Sequence, residues 1–173
     1  MSNKIFQPGE LHEGDFILFA GKVFISRGIE AISGSKWSHA AIYVGNDYVI
    51  EATETGVEKN LLTPLIKQAK HIAVMRIPNL SVDDMERMKA KAYAMLGDHY
   101  DFLNLLTLAP YYLLRKLGIT CNFLVFSTPG SVICSELCAE CAMVIPFLFA
   151  KLAKLVAPQT IYTNGSITKA YED

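Results

Sequence analysis

Ser131-Val132-Ile133-Cys134-Ser135-Glu136-Leu137-Cys138-Ala139-Glu140-Cys141 is the stretch on which the reading of this chain turns. Thr128-Pro129-Gly130-Ser131, just before and into it, is a loop and helix-start signal, with Ser131 placed to cap. Leu137, Cys138, Cys141 and Val144 then recur at helical spacing until Pro146 interrupts them. Cys134 is therefore expected near the first turn of a helix. Unsatisfied N–H groups and the positive end of the helix dipole favour a thiolate over a thiol there. A lone cysteine in that position is more often a small core residue than a nucleophile, so the reading depends on finding a base.

Trp37-Ser38-His39 offers one at the start of an apolar strand. His39–Val44 and Tyr48–Ala52 read as strands around Gly45-Asn46-Asp47, a hairpin signal. Glu51 is a charged residue inside the second of these strands, a costly placement unless the carboxylate has a partner. A three-residue loop would pair Val44 with Tyr48 and set Ala41 opposite Glu51. His39 and Glu51 would then be diagonal neighbours on one face, about 7–8 Å apart at the backbone. A two-residue loop would put them on opposite faces, because a one-residue slip inverts every side chain. On local sequence alone, His39 as a structural hydrogen bonder and Glu51 as a solvent-facing strand residue remain open readings.

The whole chain sets bounds on what such a site can belong to. Its 173 residues suit one domain, and 51% hydrophobic with 19% charged residues describes a globular chain. A net charge of −1 without a Lys/Arg block argues against nucleic-acid binding. The N-terminus lacks a signal-peptide pattern. No window reaches the roughly 18 uninterrupted apolar residues of a spanning helix. The expectation is a cytoplasmic protein whose four cysteines are free thiols.

In chain order, residues 1–13 read as an irregular lead-in and Gly14-Asp15 opens a buried strand, Phe16–Ala20. A helix is expected over Gly21–Ser33, a third strand at Val57–Lys59, a short helix at Leu61–Ala69 and a strand at Ile72–Ile77. Ser81–Leu96 is the clearest helix, capped by Ser81 and ended by Gly97. Asp101–Leu117 is an apolar helical region broken at Pro110, followed by a loop over Gly118–Gly130. Pro146–Val156 follows the Cys134 helix, and a polar tail begins at Pro158. Strands in the first half and helices in the second make an α+β pattern.

Taken together, Gly14-Asp15, Trp37-Ser38-His39-Ala40-Ala41-Ile42-Tyr43-Val44-Gly45, Val49-Ile50-Glu51-Ala52, Gly97-Asp98-His99-Tyr100-Asp101-Phe102 and Ile133-Cys134-Ser135-Glu136-Leu137 resemble the circularly permuted papain-like proteins of the NlpC type. Within that superfamily they are similar to the YiiX-like group related to lecithin–retinol acyltransferase. The resemblance covers roughly residues 10–160. It implies a small antiparallel sheet or half-barrel packed against helices, with the base first in the chain and the nucleophile last. Carried over, Cys134 is the nucleophile, His39 the general base and Glu51 the orienting residue; Asp15, Trp37, Ser38, Tyr100 and Ser135 bind substrate or shape the site. No cofactor or metal is implied. The implied chemistry is hydrolysis or transfer of an amide- or ester-linked acyl group, from a small-molecule, lipid or peptide substrate.

The expected organisation is a single domain over 1–173, with a catalytic core at about 10–160. An apolar helical insert at about 102–128 and the segment 143–157 are candidates for membrane-surface or homodimer contact. Two rival classes stand beside the enzyme reading. One is a non-catalytic ligand- or lipid-binding module on the same fold. The other is an iron–sulfur protein, because Cys134-x3-Cys138-x2-Cys141 has the spacing of the radical S-adenosylmethionine motif. On a helix these three cysteines share one face, which favours a core role for Cys138 and Cys141.

Overall fold

The computed structural model describes residues 10–21, 36–100, 131–145, 158–163 and 167–172. Among them the strands are β1 (Phe16–Ala20), β2 (His39–Gly45), β3 (Tyr48–Thr53), β4 (Gly56–Leu61), β5 (His71–Arg76), β6 (His99–Tyr100), β7 (Ser131–Val132) and β8 (Thr168–Glu172). The helices are α1 (Leu62–Gln68), α2 (Val82–Ala94), α3 (Cys134–Met143) and α4 (Pro158–Thr163). The expected helix over 21–33, the insert at 102–128 and the segment from Pro146 to Val156 lie outside the described residues.

Six strands form one antiparallel sheet in the order β4-β3-β2-β1-β5-β8. The two central strands are buried along their whole length because both sheet faces are covered. This explains why Phe16–Ala20 reads as an unbroken apolar run rather than an alternation. On one face Phe16, Leu18, Ile42 and Ile50 pack with Met88 of α2 and with Leu137 and Cys141 of α3. On the other, Ile17, Phe19, Val49 and Val74 pack with Leu62, Leu65 and Ile66 of α1. The sheet and its covering helices confirm the α+β class.

Three expectations are corrected. The polar tail is not a tail: Thr168–Glu172 pairs with β5 as the sixth strand. Its exposed Thr168, Lys169 and Ala170 supply no apolar alternation from which a strand could be read. Ser131 does not cap α3, because it is held in β7, which runs parallel to β6. Ile133 takes the N-cap position, and the Glu136 carboxylate accepts from its backbone N–H at 3.2 Å. Ser81 does cap α2, accepting from the Asp84 N–H at 3.1 Å.

The hairpin between β2 and β3 is the third correction. Its turn has two residues, Asn46 and Asp47, both with positive φ (53° and 64°), as such turns require. Gly45, not Val44, faces Tyr48, and the register shifts between Tyr43 and Gly45. The extra residue at this bulge restores what the shorter turn would have inverted, so Ala41 stands opposite Glu51 as expected. Asp47 then ties the turn to α1. Its Oδ1 accepts from Thr63 N and Oγ1 at 3.1 and 2.8 Å.

Candidate active site

β2 and β3 bring His39 and Glu51 to one sheet face. His39 Nε2 lies 2.6 Å from Glu51 Oε2, with the side chains 5% and 2% exposed. The remaining carboxylate oxygen, Oε1, accepts from Asn60 Nδ2 of β4 at 2.9 Å. The Phe19 ring of β1 lies against the imidazole, with centroids 5.9 Å apart. Burial alone would lower the His39 pKa, but Cys134 and Glu51, as charge and hydrogen-bond partners, raise it from 6.5 to about 9. Burial likewise works against an ionised Glu51, yet its bonds to His39 and Asn60 hold the carboxyl below the ordinary value of 4.5. Both directions favour a charged pair, imidazolium with carboxylate.

Cys134 meets this pair from the helical side. β7 pairs with β6 through Tyr100 opposite Val132, and two residues later Cys134 opens α3. As the first helical residue, Cys134 has a backbone N–H among those without an intrahelical partner. The thiol is buried and free, and together with Glu51 it raises the His39 pKa. Cys138 and Cys141 are also free and buried, within the core between sheet and helices. Burial, then the neighbouring thiols, pushes Cys138 well above 9, and burial pushes Cys141 up to about 12. Such thiols stay protonated, unlike a cluster-binding thiolate.

The other predicted residues divide. Ser38 secures the start of β2, its N–H and Oγ both donating to the Phe19 carbonyl at 2.9 and 3.3 Å. Trp37 is fully buried against Tyr162, ring centroids 5.5 Å apart, with Lys36 Nζ 4.7 Å from its ring centre. Tyr100 is buried beside the strand that delivers Cys134. Ser135 follows Cys134 and is fully buried, and its Oγ makes no hydrogen bond among the described residues.

Asp15 does not join the site. β1 pairs Phe19 with His39 and Phe16 with Ile42, so Asp15 lies beyond the far end of that ladder. Its buried carboxylate takes two bonds from Arg76, at 2.8 and 2.6 Å, and one from His12 N–H at 2.8 Å. A cleft of about 480 Å³ lined by Asp15, Arg76, Leu80 and Met85 opens at that same end. Asn60, by contrast, escaped the sequence reading, which ended the third strand at Lys59. Extending it by one residue would have set Asn60 across from Val49, on the face of Glu51.

A family model described as permuted papain-like amidase enzyme, YaeF/YiiX, C92 family, matches residues 10–112, more than half of the chain. The chain belongs to this family. The match to these amidases spans His39, Glu51 and Asn60 and stops before Cys134, whose place rests on the geometry above. Among curated proteins, the chain is 28% identical over 108 residues to the probable lipoprotein peptidase YaeF of Escherichia coli K12. That match takes in 62% of this chain and 39% of YaeF. The crystal structure of the metalloprotein YiiX from Escherichia coli O157:H7 superimposes with a TM-score of 0.69 at 20% identity. It covers 95% of this chain and 98% of YiiX, which shows the permuted papain-like fold.

Metal binding is a statement about YiiX. Among the described residues here, no group of three or more His, Cys, Asp or Glu side chains is arranged to hold a metal ion. His39 Nε2 is directed at Glu51. No helix among them is long and apolar enough to cross a membrane.

Proposed function

We propose that the chain is a cysteine-dependent hydrolase or acyltransferase acting on an amide or ester bond, with Cys134 as nucleophile, His39 as general base and Glu51 as the orienting residue. The observation that carries this reading is a buried imidazole 2.6 Å from Glu51 whose raised pKa owes to Glu51 and to Cys134, the first residue of a helix. Because Glu51 engages Nε2, Nδ1 is the nitrogen that takes the Cys134 proton. The sulfur then forms a bond to the substrate carbonyl carbon. The charge moved onto oxygen is met by the Cys134 backbone N–H at the positive end of α3. Collapse of this intermediate expels the amine or alcohol, which takes its proton from His39, and leaves a thioester. Water, or a second nucleophile, gives up a proton to His39, releases the acyl group and returns the thiol.

The relative YaeF, named a probable lipoprotein peptidase, supports a peptide amide or a lipid-linked acyl group as the donor. The test is turnover of activated esters and acyl amides by wild type, with intact-mass detection of the acyl-enzyme. The proposal predicts an acyl adduct on the Cys134 peptide and loss of both turnover and adduct in Cys134→Ala. Turnover that survives Cys134→Ala overturns it. A wild-type chain that binds such substrates without turnover supports a binding module instead.

A further inference from the structure

We infer that Asn60 is a positioning residue of the candidate site: by donating to Glu51 Oε1, it fixes the carboxylate whose other oxygen holds His39. This inference rests on the hydrolase reading above and names one more residue of the same site. Glu51 is buried, and an ionised carboxylate can only accept hydrogen bonds. Its two oxygens receive one donor each, His39 Nε2 at 2.6 Å and Asn60 Nδ2 at 2.9 Å. The amide must therefore present its NH₂ group, and the imidazole must carry its proton on Nε2. That fixes the ring form with Nδ1 available to Cys134. The three residues come from adjacent strands, β2, β3 and β4, so the sheet register holds the relay.

The charged surroundings are few among the described residues. α3 contributes Cys134, which acts on His39. β4 places Glu58 across the ladder from Glu51, but the Glu58 carboxylate accepts from Thr55 Oγ1 at 2.7 Å. β1 offers the uncharged ring of Phe19. Asn60 is thus the neutral donor that offsets the burial of Glu51, as its share in holding that carboxyl below 4.5 also indicates.

The experiment follows the hydrogen-bonded Nε2 proton of His39 by ¹H NMR against pH in wild type, Asn60→Leu and Asn60→Gln, alongside ester turnover. Asn60→Leu keeps the branched shape and removes the donor; Asn60→Gln keeps an NH₂ group on a longer arm. The expected result is loss of the proton signal about one pH unit higher in Asn60→Leu than in wild type, the size of one hydrogen bond to a charge. Asn60→Gln recovers part of that shift. The acid limb of kcat/KM moves in parallel. A signal lost at the wild-type pH in a folded Asn60→Leu overturns the inference. Should Asn60→Leu fail to fold, Asn60→Ala, which also removes the donor, decides: a signal lost at higher pH than in wild type supports the role, and a signal lost at the wild-type pH overturns it. The NMR readout needs no turnover, so an inactive wild type would overturn the hydrolase reading and leave the Asn60 test standing.

Discussion

His39 and Glu51 sit on neighbouring antiparallel strands, diagonal across the ladder, with Nε2 and Oε2 2.6 Å apart and both side chains almost wholly buried. A buried pair of this kind is sensitive to loss of either charge, since the survivor is left without compensation. It also sets Nε2 as the ring nitrogen that faces the carboxylate.

Glu51→Gln tests the charge of the carboxylate at nearly constant volume. Without that anion the imidazolium loses one of its two partners, so the His39 midpoint falls from about 9. Ester turnover is expected to drop about 100-fold, the low end of what a positioned general base contributes. NMR titration of the imidazole and kcat/KM profiles check both.

Stability should follow pH in a definite sense. The raised His39 contributes stability fully below its ordinary 6.5 and loses it as pH rises through about 9. The lowered Glu51 contributes fully above 4.5 and loses it as pH falls below that value. Denaturant unfolding is therefore expected to show the largest contribution of the pair between pH 4.5 and 6.5, declining on both sides. The double variant His39→Leu with Glu51→Leu should flatten this dependence.

Asp15→Ala separates fold from chemistry. Asp15 is buried and bridged to Arg76 at the end of β1 away from His39. Removing it should destabilise the chain by about 2–3 kcal/mol, less than for a fully buried pair because Arg76 is partly exposed. Cys134 labelling in the folded variant should stay at the wild-type rate. A changed labelling rate would return Asp15 to the site.

Much of this arrangement was legible because it is written in side-chain patterns. The apolar runs at Phe16–Ala20 and His39–Val44, the lone Glu51 inside a strand and the helical spacing after Cys134 led to the sheet, the shared face and the helix start. What escaped depends on the backbone and on distant partners. The bulge at Val44 is a backbone adjustment with no side-chain signature, and it let a two-residue turn give the register expected from three. β8 is polar and gains its place only by pairing with β5, about a hundred residues earlier in the chain. Asn60 is an ordinary polar strand residue until the register sets it beside Glu51. Ser131 looked like a cap because it precedes a helix, but pairing with His99 draws it into β7.

The central claim is that His39 activates Cys134. It is tested most directly by the rate of iodoacetamide alkylation at each cysteine against pH, read by peptide mass spectrometry in wild type and His39→Ala. At pH 7, Cys134 is predicted to label at least about 100-fold faster than the buried, protonated Cys138 and Cys141. In His39→Ala that advantage should largely disappear. If Cys134 labels no faster than Cys138 and Cys141 in the folded protein, or labels equally fast without His39, the activated-thiol account is contradicted.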